Sequence, residues 1–228
     1  TTEIYTLSLH DALPIYLASQ QDPQGFFRAL GPEVPWLTGL VVNWLQGASK
    51  PFAERFLWPS PNEGNTDRKT RLAGFQYFLE LCDLLKGCPC LASSTLPFAF
   101  IDLVGFRAFN NQCGQDAGDQ ALECCAEALS ELPAVKIVRD GGDEFLVIGA
   151  PTRGPLLPDL LSHREAWPER FFARFGKDVP LVRMRALVGY VKGSHLRDAR
   201  EIFGRRIGEL KNIKENDGAV IRDVGAIA

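Results

Sequence analysis

Residues 139–145, Arg139-Asp140-Gly141-Gly142-Asp143-Glu144-Phe145, constrain the fold more than any other stretch of the chain. A run of strand-forming residues, 135–140, precedes the two glycines, and another, 144–148, follows them. A Gly-Gly pair between two such runs signals a two-residue hairpin, because both central positions can take positive φ. At least one antiparallel strand pair is therefore expected, with Asp143 and Glu144 directly after its turn. A hairpin has no need of acids there. Carboxylates fixed on a rigid tip beside glycines can hold a divalent ion close to a phosphate.

The flanking sequence supplies the rest of a sheet. Residues 97–103 are apolar except for Asp102 and read as a buried strand. Leu72, Phe75, Phe78, Leu79, Cys82 and Leu85 recur at helical steps over 71–85, stopped by Gly87 and Pro89. Ala121, Leu122, Cys125, Leu129 and Leu132 mark a helix over 117–132. Residues 151–158 read as a loop, 164–175 as a helix, 181–191 as a strand, 196–214 as a helix and 219–222 as a last strand. The sum is βαββαβ with one further helix and strand. It predicts an α+β, two-layer, ferredoxin-like plan: a mainly antiparallel sheet with helices on one face.

Upstream, 25–30 and 36–45 have the apolar clusters of helices. Pro51, Pro59, Pro61, Gly64 and Asn65 make the next stretch a loop or linker. Residues 1–15, TTEIYTLSLHDALPI, resemble the conceptual translation of a sequencing adapter and are set apart from fold reasoning. The expected organisation is 1–15 as an artefact, 16–70 as an uncharacterised N-terminal segment and 71–228 as the catalytic domain.

With 46% hydrophobic residues the chain has material for a sizeable core, and a net charge of −3 offers no basic face for nucleic acid. No apolar run approaches the roughly 18 residues that span a bilayer, so no membrane segment is expected. Of six cysteines, Cys124 and Cys125 are neighbours within a helical pattern, a poor disulfide framework. The composition reads as that of a reducing cytoplasm. Cys82, Cys88 and Cys90 lack zinc spacing and a nearby histidine, and His163 and His195 read as surface residues.

Asp102 interrupts a core strand. A lone buried carboxylate costs several kcal/mol unless paired or metal-bound. Either it reaches solvent at the strand end, or it converges with Asp143 on a metal site, since the first strand of a βαββαβ sheet lies beside the hairpin. Between them Phe106-Arg107-Ala108-Phe109-Asn110-Asn111 leads into Gly114-Gln115-Asp116-Ala117-Gly118-Asp119, a tight loop opening a helix. Asn110 suits an ordinary turn, and Asp119 a first helical turn.

Taken together, these residues resemble the GGDEF family of diguanylate cyclases. The ordered elements are the strand-end Asp102, Phe106 to Asn111, Gly114 to Leu122, and Arg139 to Phe145, within about 98–222. The resemblance implies a nucleotidyl-cyclase palm that joins two GTP molecules into cyclic di-GMP, with Mg²⁺ or Mn²⁺ as cofactor and a homodimer for turnover. It implies metal ligands at Asp102, the Leu103 carbonyl and Asp143, with Glu144 beside the reacting hydroxyl. Phe106 and Arg107 belong to the substrate motif, Gly141 and Gly142 to the phosphate-facing turn, and Lys214 to the phosphate site of the last helix. Asn110 and Asp119 read the guanine edge. A carboxylate accepts from both N1–H and the 2-amino group, a donor pair that adenine lacks.

The chain departs from the family pattern at several places. Asn111, Gln115 and Val104 replace a usual Asp, His and Asp, Asp140 adds a charge before the turn, and Gly218 stands where an arginine is expected. The opening Asp-x-Leu-Thr-Gly-Leu motif is missing at its usual distance; Trp36-Leu37-Thr38-Gly39-Leu40 echoes it too far upstream. The inhibitory Arg-x-x-Asp is absent near Ala134 to Lys136, so no product-inhibition site of that kind is expected. Two alternatives stand beside the cyclase: a degenerate GTP-binding regulatory module acting on an unknown partner, and a cyclase making another cyclic dinucleotide.

Overall fold

The computed structural model describes residues 61–87, 89–133, 135–151, 153–210 and 220–227. The chain divides into units of 1–62 and Glu63–Ala228, and the second contains every described helix and strand. The stretches expected as helices at 25–30 and 36–45, and Lys214, lie outside the described residues.

Six strands form one sheet: β1 (Ala73–Gly74), β2 (Thr95–Val104), β3 (Val135–Gly141), β4 (Glu144–Gly149), β5 (Arg183–Lys192) and β6 (Ile221–Ile227). Their spatial order is β1-β3-β4-β2-β5-β6. β2 is antiparallel to β4 and β5, β3 is antiparallel to β4, and the edge strands β1 and β6 run parallel to β3 and β5. The four central strands have the ferredoxin-like order expected from the sequence, with β4 inserted between β2 and β3.

Among the described residues six α-helices accompany them: α1 (Phe75–Gly87), α2 (Pro89–Ala92), α3 (Phe106–Cys113), α4 (Gln115–Ser130), α5 (Leu157–Phe175) and α6 (Leu196–Leu210). Side chains alternate across a strand. Ala99, Ile101 and Leu103 of β2 enter a core with Leu122, Cys125 and Leu129 of α4 and Trp167 and Phe171 of α5. From the other face Phe98 meets Phe203 of α6 edge-to-face at 5.0 Å. On that face too, the Lys136 Nζ of β3 lies 4.9 Å from the centre of the Tyr77 ring of α1. Helices thus cover both faces, where the sequence reading placed them on one. The sign was present in β2: a strand buried on both faces reads as a continuous apolar run.

Other differences are local. Residues 73–74, read as helix, pair with β3. Helix α5 starts at Leu157, not 164, with Pro158 in its first turn, where the missing N–H costs nothing. Residues 106–113 form a helix of their own, separated from α4 by Gly114 at φ 89°. No helix among the described residues is long and apolar enough to cross a membrane.

Candidate active site

The hairpin between β3 and β4 differs from its sequence reading by one residue. Gly141 pairs with Glu144, so the two turn residues are Gly142 and Asp143. Asp143 sits in the turn itself rather than after it. Gly142 has φ 52°, while Asp143 does not take positive φ. That is the pattern of a type II′ turn, with glycine at its first central position. A Cβ added at Gly141 or Gly142 meets no protein atom within 4 Å, so both face open space.

The tip is braced from below. Arg139, 9% exposed, donates from Nη2 to the Gly142 carbonyl at 2.7 Å and from Nη1 to Asp67 Oδ1 at 3.0 Å. The same carboxylate accepts from the Thr70 amide at 2.8 Å and the Thr70 hydroxyl at 2.7 Å. Burial opposes ionisation of Asp67, but the Thr70 and Arg139 donors outweigh it and hold its carboxyl below the usual carboxylate range. Residues 66–70, read as N-terminal segment, are therefore part of the hairpin's foundation. Only the Asp-x-x-Thr spacing hinted at this, since Asp side chains bond local backbone amides.

Asp140 falls at the irregularity between Arg139 and Gly141, with its side chain 1% exposed. It does not add free charge to the site. Arg200 of α6 donates to it from Nε at 3.0 Å and from Nη2 at 2.6 Å. This hydrogen-bonded partner raises the Arg200 pKa further.

Asp102 is 3% exposed near the end of β2. Its register partners are Glu144 on β4 and Arg185 on β5, so all three project from one face. Arg185, 4% exposed, donates from Nη1 to Asp102 Oδ2 at 3.2 Å. The Leu103 amide donates to the Asp143 carbonyl at 3.2 Å, tying β2 to the turn. Asp102, Leu103, Phe106, Arg107, Asp143 and Arg185 line one open cleft of about 470 Å³. The structure therefore gathers the expected metal-site residues and two of the expected substrate residues. Arg185 was not anticipated; an Arg in a strand carries no local signal, and its partner lies 83 residues away.

The donor set of Asp102, Asp143 and the Leu103 carbonyl is all hard oxygen, which fits Mg²⁺ or Mn²⁺. Among the described residues no three His, Cys, Asp or Glu side chains form a metal-holding group. Mg²⁺ is commonly held by one or two carboxylates plus substrate phosphates.

The remaining pair lies along α3 and α4. Asn110 Oδ1 is buried with no hydrogen-bond partner, and a Cβ on Gly118 would lie 1.8 Å from it. Asp119 follows Gly118, in the second turn of α4 rather than the first. Its Oδ1 accepts from Lys69 Nζ at 2.6 Å, with the two side chains 36% and 51% exposed. An ion pair so exposed contributes roughly 0–1 kcal/mol and gives way readily to a ligand. Arg107 and Asn110 are three residues apart on α3, about 5 Å of helix rise. The cleft and the Asn110–Asp119 corner are thus neighbours.

A six-stranded sheet in this order with helices on both faces has the fold of the nucleotidyl-cyclase palm. Residues 64–155 match the family model described as diguanylate cyclase, GGDEF domain. Similar solved structures include the GGDEF domain of DgcB from Caulobacter crescentus in complex with c-di-GMP. That structure is 20% identical, with a TM-score of 0.59, over 72% of this chain and 98% of that one. A structure of the DgcB coiled coil and GGDEF domain from the same organism, also with c-di-GMP, is 19% identical with a TM-score of 0.58, over 71% and 86%. Both show a shared fold. Comparison with curated protein sequences gives no match.

Proposed function

We propose that this domain binds GTP with its triphosphate in the cleft beneath the hairpin and its guanine at Asn110 and Asp119, and that two such domains make cyclic di-GMP. The observation that carries this reading is the convergence of Asp102, Leu103, Arg107 and Asp143 on one cleft. Each 3′-oxygen attacks the α-phosphorus of the other domain's nucleotide. Two phosphorus–oxygen bonds form, two α–β bonds break, and two pyrophosphates leave. One cleft holds one GTP, so turnover requires a homodimer, at least during the reaction.

The residues divide this work. Arg107, which lines the cleft, offers a guanidinium to the phosphates. Glu144, across from Asp102 in the β2–β4 register, is placed to take the 3′-hydroxyl proton on its carboxylate. Asp102, the Leu103 carbonyl and Asp143 would hold Mg²⁺ or Mn²⁺, which would neutralise phosphate charge and acidify the hydroxyl. The GTP supply of the cytoplasm suits this chemistry. In the test, purified protein is incubated with GTP and Mg²⁺ and the products are identified by mass, with Asp143→Ala as control. Cyclic di-GMP from the wild type alone is expected; no dinucleotide at any protein concentration sinks the reading.

One observation favours a second reading. The buried Arg185 on Asp102 places a fixed cation where the reaction needs a metal carboxylate. GTP bound but never turned over would identify a regulatory GTP-binding module.

A further inference from the structure

Arg185 and Asp102 face each other across β5 and β2, in register, with side chains 5% and 4% exposed. A buried charge is tolerated when it is paired, and removal of one partner leaves the other uncompensated. Arg185 lines the same cleft as Asp143 and Arg107. Two cationic side chains therefore stand among the two carboxylates that face the cleft.

We propose that Arg185 is the resident counter-cation of Asp102, and that it keeps the nucleotide-free cleft from holding a divalent ion. The negative charge that admits the ion then comes from the triphosphate, so metal and nucleotide enter together. This rests on the reading of the cleft as a nucleotide site. The ion's own ligands need not change; what changes is when the site acquires enough negative charge. An ion drawn to Asp102 meets a fixed positive charge already hydrogen-bonded to that carboxylate, and the repulsion is weakly screened because the pair is buried.

The test measures Mn²⁺ uptake by the full chain without nucleotide, by electron paramagnetic resonance of the free ion. Uptake by the wild type is expected to be weak and unchanged by Asp102→Asn. Arg185→Gln removes the charge and keeps a hydrogen-bonding side chain; it is expected to bind Mn²⁺ about tenfold more tightly or better. That gain is expected to vanish in Arg185→Gln combined with Asp102→Asn. Arg185→Lys retains the charge and should stay as weak as the wild type. Circular dichroism melts confirm that each variant is folded. Equal uptake by wild type and Arg185→Gln overturns the proposal. So does wild-type uptake that falls tenfold in Asp102→Asn, a result that needs no Arg185 variant. A non-hydrolysable GTP analogue should restore Mn²⁺ uptake to the wild type. Failure of that arm alone overturns the nucleotide-site reading and leaves the Arg185–Asp102 assignment standing.

Discussion

Gly118 shows how much one missing methyl group can decide. A Cβ there would meet Asn110 Oδ1 at 1.8 Å, far inside contact distance, and the atom it meets is the end of a side chain. Asn110 can swing away, so Gly118→Ala is expected to leave the melting temperature nearly unchanged; alanine also favours a helix interior over glycine by about 1 kcal/mol. The cost falls on recognition. With Asn110 displaced, affinity for a fluorescent GTP analogue should drop about tenfold or more, the loss of roughly one good hydrogen bond. Unaltered affinity would remove Asn110 from the guanine site. Asp140 carries the complementary lesson. Its charge looked unbalanced in the sequence, yet Arg200 neutralises it from 60 residues away.

At the scale of elements, the hairpin depends on a loop far from it in sequence. Asp67 holds Arg139, and Arg139 holds the Gly142 carbonyl of the turn. Against the cost of burial, the Thr70 and Arg139 donors hold the Asp67 carboxyl below the usual carboxylate range in the folded protein. A depressed acid stabilises the fold above its unfolded pKa, and that contribution disappears as pH falls through the lower, folded value. Asp67→Asn should therefore lower the melting temperature at neutral pH, and the difference from wild type should shrink below about pH 3.8. Melting curves from neutral pH to below pH 3 check this; a difference that stays constant would mean that Asp67 acts through packing alone. The same variant should loosen the turn that presents Asp143.

For the whole molecule, the face covered by α6 joins stability to the site. Phe203 is fully buried, packed edge-to-face on Phe98, and α6 also carries the Arg200 that pins Asp140. Phe203→Ala should cost about 3–5 kcal/mol, read from urea unfolding. A loss under about 1 kcal/mol would mean that this face repacks freely. Burial also quietens the thiols: it pushes Cys82 up to about 12 and raises Cys124 and Cys125 above their ordinary value. These are packing residues rather than nucleophiles.

Five of the six strands and the hairpin were legible in the sequence, because turn chemistry and hydrophobic period are local properties. The one-residue displacement of the turn was not. It depends on the irregularity at Asp140, and so on which residues of β3 and β4 end up opposite each other. The cationic half of the site was equally hidden. Arg185, Arg200 and Lys69 meet Asp102, Asp140 and Asp119 from 83, 60 and 50 residues away. Nothing near an arginine in the chain announces its carboxylate; strand register and helix packing bring the two together. The sequence by itself determined where the acids would be displayed, and only the tertiary structure decided which charges would answer them.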